Sequence, residues 1–285
     1  MVIRGRPFDW GARTYLMGIL NLTPDSFSGD GLAAGAAGDP SADTVVARAQ
    51  RMVGEGADIL DIGGESTRPG HVAVPVDAEL ARVVPAIRVI RAALADVPLS
   101  VDSRKVAVAL AALDAGADVL NDVSGVTGDG SLAAAAGARG VPYVVMHDRR
   151  LGETAIGTVA AQVVHDLSAA IERAVSLGCQ RRSIIVDPGI GFGKTPGQNL
   201  ELLRDLDALR VLGHPVLLGA SRKSTIGLVL GLPPDDRLEG TLATTALGIA
   251  GGADLVRVHD VQANQRVARM SDAIVRGWQP ADQGR

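Results

Sequence analysis

The chain has 285 residues, a formal net charge of −4 and one cysteine, Cys179, so it can form neither an internal disulfide nor a cysteine-built zinc site. The small acidic excess, together with only three Phe, two Tyr and two Trp, provides neither a basic face nor stacking platforms for nucleic acid. No apolar run reaches the roughly 18 residues of a membrane span and no signal peptide is visible, so we expect a cytoplasmic protein without nucleic-acid or membrane partners.

Short apolar runs alternate with longer segments of helical periodicity along most of the chain. The predicted strands cover residues 15–23, 58–63, 99–103, 119–124, 143–147, 183–187, 215–220 and 255–259. The predicted helices between them include residues 77–94, 105–115, 158–177, 199–212 and 238–250. This alternation is typical of βαβ units around a parallel sheet, and eight strands favour an α/β fold, a (β/α)8 TIM barrel. The alternative is a doubly wound open sheet, which normally has fewer units and one glycine-rich nucleotide turn.

The two ends of the chain are expected to lie outside the barrel. Residues 1–14 hold Phe8 and Trp10 among turn-forming Gly and Pro, which favours a short hairpin over the N-terminal mouth of the barrel. Residues 277–285 are expected to form a frayed tail. We therefore predict a single barrel domain over residues 1–285.

Polar residues stand at the C-terminal ends of most predicted strands. They are Asn21, Asp61, Asp102, Asn121, Asp187, Ser221, Arg222, Lys223, Arg257 and His259. Any one of them could be a helix cap, as Asp102 could be for the segment that follows it. Because TIM barrels carry their active sites at this end of the strands, polar residues at so many ends favour a functional site.

The residue types at these ends suit a flat heterocycle. Asp102, Asn121 and Asp187 offer hydrogen-bond acceptors and amide donors, and Lys223 adds a cationic donor. The sequence therefore predicts a heterocycle site at the C-terminal mouth of the barrel.

Cationic residues near the same ends suit a phosphate or pyrophosphate. Arg68, Arg257 and His259 carry the positive charge. Asn21 is a hard oxygen ligand that could help to hold Mg²⁺, a cation that keeps most of its waters and prefers phosphate partners.

Other site types are disfavoured. Residues 189–195 end like a Walker A loop, but its first glycine would fall at Pro188, so a flexible loop after the sixth strand is expected. The five histidines form no i, i+4 zinc pair, and there is no Gly-x-Ser-x-Gly elbow for acyl transfer.

Eight motifs follow one another along the chain. They are MGILNLTPDSFS from residue 17, DIGGESTRPG from 61, VDS from 101, NDVSG from 121, MH from 146, DPGIGFGK from 187, SRK from 221 and RVHDV from 257. With these motifs in order over about residues 15–261, the chain resembles the dihydropteroate synthase family of folate biosynthesis.

The resemblance implies a reaction and its participants. The family condenses 6-hydroxymethyl-7,8-dihydropterin pyrophosphate with para-aminobenzoate to 7,8-dihydropteroate, releasing pyrophosphate with the help of Mg²⁺. An aryl amine is a free base at neutral pH and needs no strong general base. The barrier lies in losing pyrophosphate, which Mg²⁺ and cationic side chains stabilise. The resemblance also implies a homodimer.

The resemblance assigns roles to individual residues. Those implied for the pterin are Asp102, Asn121, Asp187 and Lys223, with Met146 near the ring. Those implied for pyrophosphate and metal are Asn21, Arg68, Arg257 and His259. Those implied for the aminobenzoate are Thr67, Pro69, Ser221 and Lys223. Asp61 and Phe192 are further substrate contacts, and the implied catalytic set is Asp102, Asp187, Lys223, Arg257 and His259. Mobile loops at residues 23–31 and 64–71 would close over the site, bringing in Asp25 and Phe27.

The chain departs from the family pattern at several positions. Residues 28–31 read Ser-Gly-Asp-Gly where Asp-Gly-Gly usually follows the serine, and residues 149–157 are short. Asp148 follows the Met-His pair where an apolar or larger residue is common, and Thr225 stands where many members carry Phe. We expect these departures to affect loop dynamics more than the reaction.

Two other functions are considered. One is a pterin-binding methyltransferase domain that serves a corrinoid partner, but the intact SRK and RVHDV motifs are not expected there. The other is a catalytically silent pterin-binding homologue, which losses at Arg68, Lys223 or His259 would have favoured, and all three residues are present.

Overall fold

The computed structural model of the chain describes residues 1–23, 40–65, 74–152 and 157–277. Within these residues a short antiparallel pair of strands precedes eight parallel strands that alternate with helices. The strands are β1 (Val2–Ile3), β2 (Arg6–Pro7), β3 (Tyr15–Asn21), β4 (Ile59–Gly63), β5 (Leu99–Asp102), β6 (Val119–Asp122), β7 (Tyr143–Met146), β8 (Ile184–Asp187), β9 (Leu217–Leu218) and β10 (Leu255–Val258). The helices are α1 (Ala42–Gly54), α2 (Val76–Ala93), α3 (Val106–Ala115), α4 (Ser131–Arg139), α5 (Val159–Ser176), α6 (Pro196–Arg204), α7 (Ser224–Leu230), α8 (Leu238–Ala250) and α9 (Val261–Val275).

The eight parallel strands form a nearly closed barrel. Their order is β8-β7-β6-β5-β4-β3-β10-β9, and a parallel bridge between Val186 and Val216 brings the two outermost strands together. The predicted TIM barrel is therefore confirmed, and the open-sheet alternative is wrong. No helix among the described residues is long and apolar enough to cross a membrane.

The predicted N-terminal hairpin is also confirmed. Its strands pair through Ile3 and Arg6, and both loop residues between them, Arg4 and Gly5, have positive φ. That combination is the two-residue turn whose twist suits an antiparallel hairpin.

The barrel strands divide their side chains between two cores, because successive residues point to opposite faces of a strand. In β4, Leu60 and Ile62 pack outward into the cluster shared with the helices, whereas Ile59 points into the barrel. The inner cluster joins the hairpin to the N-terminal halves of the strands. Its buried members are Ile3, Phe8, Tyr15, Met17, Ile59, Val119, Val144, Ile185, Leu217 and Leu255. Apolar packing thus fills the half of the barrel at the N-terminal ends of the strands, and the polar residues lie at the C-terminal ends.

One predicted helix differs from the structure. The segment predicted at residues 199–212 is two elements, α6 and a 3-10 helix at Leu206–Leu212. The first begins earlier because Thr195 and Gln198 form a capping box around Pro196. The other four predicted helices agree with the structure to within one residue at each end.

Candidate active site

A buried ion-pair network spans the C-terminal mouth of the barrel. The guanidinium of Arg257, from β10, donates to Asp61 Oδ2 of β4 at 2.6 Å and to Asp102 Oδ2 of β5 at 2.5 Å. Asn121 Nδ2 of β6 donates to the same Asp61 oxygen at 3.2 Å. The inner-face positions of four strands therefore meet in one polar layer.

Space remains in this layer because two inner-face positions are glycines. A Cβ at Gly63 would lie 3.3 Å from Asn21 Oδ1, and a Cβ at Gly219 would lie 3.7 Å from Asp187 Oδ2. A side chain at position 63 would crowd the amide of Asn21, whereas its absence at position 219 leaves room beside the Asp187 carboxylate. A flat ligand could enter there.

The charged groups of the site have shifted pKa values. Burial raises the pKa of Asp102 to about 7, an effect that Arg257 opposes and Asp61 reinforces. Burial also raises the pKa of Asp187, although its carboxylate accepts from Gly189 N–H at 2.7 Å. Burial and the neighbouring Arg257 lower the pKa of Lys223 to about 8. Groups that titrate near neutral pH in a cleft are typical of functional sites.

Asp61 is the most deeply buried of these groups. Its side chain is fully buried, and its Oδ1 has no hydrogen-bond partner among the described residues. A buried oxygen without a donor costs free energy, so it is a natural position for a ligand N–H or a water.

The loop after β8 presents Phe192 to Lys223. Lys223 Nζ lies 4.0 Å from the centroid of the Phe192 ring. Lys194 Nζ donates to the carbonyl oxygens of His147 at 2.9 Å, Gly189 at 3.1 Å and Phe192 at 3.2 Å. The loop at residues 189–195, predicted to be flexible, is thus hydrogen-bonded to the residue that follows β7. Sequence reasoning assigned no role to Lys194, although the residue lies in the failed Walker motif and ends the DPGIGFGK motif.

Ser221 and His259 form a second polar pair at the ends of β9 and β10. Ser221 Oγ lies 3.0 Å from His259 Nδ1, and the backbone N–H of His259 donates to Ser221 Oγ at 3.2 Å. Their hydrogen bonds bring two predicted substrate contacts together, although they are 38 residues apart in the chain.

Met146 ends β7 and is buried, with its backbone paired in register with Asp187. Five other predicted site residues lie outside the described residues. They are Asp25, Phe27, Thr67, Arg68 and Pro69. Most of each predicted mobile loop, at residues 23–31 and 64–71, lies outside them too.

The described residues do not build a multidentate metal centre. They contain no group of three or more His, Cys, Asp or Glu side chains that could hold an ion together. Asn21 nevertheless ends β3 beside the space at Gly63. Such a site fits a cation that takes most of its ligands from phosphate and water.

A family model described as pterin binding enzyme matches residues 17–259. The dihydropteroate synthase of Clostridium beijerinckii is 47% identical over 277 residues, which cover 97% of this chain and 100% of that protein. The chain belongs to the dihydropteroate synthase family.

Solved structures agree with that membership. A Clostridium difficile dihydropteroate synthase, solved in the presence of pteroic acid, is 47% identical with a TM-score of 0.86, covering 95% of this chain and 100% of that chain. A Xanthomonas albilineans dihydropteroate synthase in complex with 7,8-dihydropteroate is 41% identical with a TM-score of 0.79, covering 92% and 94%. The family predicted from the eight motifs is therefore confirmed, and the chain is a transferase of folate biosynthesis.

Proposed function

We propose that this chain joins 6-hydroxymethyl-7,8-dihydropterin pyrophosphate to para-aminobenzoate, forming 7,8-dihydropteroate and releasing pyrophosphate. The observation that carries the proposal is the buried layer formed by Asp61, Asp102, Asn121 and Arg257 at the C-terminal mouth of the barrel. Its acceptors and donors match a heterocycle with adjacent N–H groups and a ring carbonyl.

Asp102, Asn121 and Asp187 would hold the pterin. Each carboxylate has about four acceptor sites, so Asp102 can bind Arg257 through Oδ2 and still accept from a ligand. Asp187 uses Oδ1 for Gly189, and Oδ2 lies beside the space at Gly219. The two carboxylates would orient the ring so that its reactive methylene faces the aminobenzoate.

Arg257 and His259 would hold the pyrophosphate, and Lys223 would bind the pterin beside them. A guanidinium pairs well with phosphate oxygens, and the ammonium of Lys223 would add a second positive charge near the breaking bond. These side chains would stabilise the negative charge that develops as the carbon–oxygen bond to pyrophosphate breaks.

Mg²⁺ would be held by Asn21 together with the pyrophosphate. When bound, the ion adds positive charge to the leaving group, which lowers the barrier to its departure. The aryl amine attacks as a free base, so the protein's task is to position it and to exclude water.

A homodimer in the cytoplasm completes the proposal. Exposed apolar side chains on α7 and α8 support it: Leu228 is 67% exposed, Val229 61% and Leu247 66%. Large apolar side chains exposed on two neighbouring helices favour a protein partner, and a second copy is proposed. Leu247→Glu should shift the mass measured by light scattering from dimer to monomer. An unchanged mass would place the interface elsewhere.

The decisive experiment is an assay of dihydropteroate formation from both substrates with Mg²⁺. Product formation supports the synthase. Pterin binding without turnover would indicate a silent homologue, and methyl transfer to a corrinoid protein would indicate the methyltransferase alternative. Omitting Mg²⁺ should slow turnover while leaving the affinity for a pterin without phosphates unchanged.

A further inference from the structure

The backbone of Arg222 has an unfavourable conformation. Its φ is 57°, in the left-handed region, and among the described non-glycine residues only Arg4 in the hairpin turn shares it. A Cβ makes this conformation costly, so the surrounding structure must hold it in place. Arg222 lies between Ser221 and Lys223, two predicted substrate contacts.

Several hydrogen bonds hold this turn. The Arg222 guanidinium donates through Nε to Asp260 Oδ2 at 3.0 Å and through Nη2 to Asp260 Oδ1 at 2.6 Å. The Arg222 backbone N–H donates to Thr241 Oγ1 at 3.0 Å, and Arg237 Nη1 donates to the Arg222 carbonyl at 3.0 Å. A more distant carboxylate, Asp235, is 94% exposed and lies 3.6 Å from Nη1.

The two-pronged ion pair connects two strand ends. Asp260 directly follows His259, and Arg222 directly precedes Lys223. The pair therefore fixes the turn after β9 against the turn after β10, and the Ser221–His259 hydrogen bonds lie between the same two turns. A paired guanidinium and carboxylate resist both rotation and separation.

We propose that Arg222 and Asp260 are positioning residues, whose ion pair holds the strained turn so that Lys223 and His259 face the same substrate. The pair acts through its neighbours, and neither residue needs to touch the ligand. The inference rests on the function proposed above.

Three variants separate the ion pair from the backbone strain. Arg222→Met and Asp260→Asn each remove the ion pair. Arg222→Gly also removes it but adopts φ 57° without strain, so its thermal midpoint should be at least that of Arg222→Met. Small displacements of a positioned group cost up to about a hundredfold in rate, so we expect kcat/KM to fall tenfold or more in all three variants. The double variant Arg222→Met with Asp260→Asn should lose no more than either single one.

A matched control lies at the opposite end of the barrel. Arg13 also makes a two-pronged pair, donating through Nη1 to Asp58 Oδ2 at 3.1 Å and through Nη2 to Asp58 Oδ1 at 2.6 Å. Arg13→Met should lower the thermal midpoint while leaving kcat/KM unchanged. Arg13→Met also removes a hydrogen bond to the Thr14 carbonyl and a contact with the Tyr15 ring, so it controls for the loss of an arginine and its ion pair far from the site.

The outcomes are distinguishable. A fall of less than tenfold in folded Arg222→Gly would overturn the inference, because backbone conformation alone would then suffice. Full activity in Asp260→Asn would also overturn it, since Arg222 would then act without its partner. Absence of dihydropteroate formation by the wild-type chain would instead reject the proposed function.

Discussion

At the scale of single residues, the site depends on buried carboxylates and on the groups that compensate their charge. Asp61 and Asp102 share one guanidinium, whereas Asp187 relies on a backbone N–H. Asp187 is therefore the carboxylate whose charge is least compensated by a direct ion pair. We expect removal of this charge to lower the affinity for the pterin.

Asp187→Asn should abolish tight pterin binding. An amide cannot accept from two adjacent N–H groups, and charge-assisted hydrogen bonds contribute about 1.5–3 kcal/mol each, so affinity should fall roughly ten- to ten-thousand-fold. Calorimetry with a pterin measures the loss. Asp205→Asn, at an exposed ion pair with Arg204, is the control. Near-native pterin affinity in Asp187→Asn would contradict the assignment.

The rate should depend on pH on both sides of neutrality. The pKa of Asp102 is about 7 and that of Lys223 about 8. Below pH 7 the protonated carboxyl of Asp102 has lost the charge with which it would accept from the pterin, and above pH 8 the neutral amine of Lys223 can no longer bind the pterin as a cation. We therefore expect kcat/KM to fall on the acid side near pH 7 and on the alkaline side near pH 8.

Substitution of two lysines identifies the group whose deprotonation causes the fall in kcat/KM above pH 8. Lys223→Arg should move the alkaline fall to higher pH, because a guanidinium stays charged. Burial also lowers the pKa of Lys194 to about 8, and Lys194→Arg should leave the fall where it is. The reverse pattern would assign the titration to Lys194.

At the scale of elements, the order of strands and helices was the most predictable part of the molecule. The bounds of the strands were predicted less well than those of most helices, since the strand predicted at residues 215–220 is only Leu217–Leu218. In β4, Ile59 and Asp61 share the inner face, so an apolar core position below a polar end is already visible in the sequence. The bounds of α6 were predicted less well. Its start follows the capping box of Thr195 and Gln198, a pattern that the sequence carries but the prediction missed, and its end depends on the backbone conformation of Asp205.

The partners of the site residues were less predictable than their positions. Arg257 and Asp61 are 196 residues apart in the chain, and only the closed barrel brings them together. The sequence implied a phosphate contact for Arg257, and the structure adds two carboxylate partners. It also shows Lys194 as a half-buried donor to three carbonyls, a role that no residue pattern indicates.

Lys194→Met should loosen the loop that carries Phe192. Three carbonyl oxygens would lose a charged donor, and each unsatisfied group costs about 1–3 kcal/mol where it is buried. We expect a lower thermal midpoint and weaker pterin binding, measured by calorimetry and unfolding. Lys194→Arg keeps the charge and should recover part of both. If Lys194→Met is destabilised but its pterin affinity is unchanged, this lysine contributes to stability and not to pterin binding.

At the scale of the whole molecule, stability and function lie at opposite ends of the barrel. The segment after the hairpin and the first residue of β3 bring together Phe8, Trp10 and Tyr15, whose ring centroids are 4.7 to 5.3 Å apart. The C-terminal mouth instead contains the buried charges of the site. This arrangement is general for TIM barrels and makes the two ends separable by mutation.

Phe8→Ala and Phe192→Ala test that separation with the same chemical change. Phe8 is 3% exposed within the lower core, so removing its ring should cost about 3–5 kcal/mol of the free energy of unfolding. Folded Phe8→Ala should keep kcat/KM within about twofold, because no predicted substrate contact lies at that end. Phe192 is only partly buried and lies against Lys223, so Phe192→Ala should lose little stability but lower kcat/KM. A loss of kcat/KM in folded Phe8→Ala would show that the two ends are coupled through the inner core of the barrel.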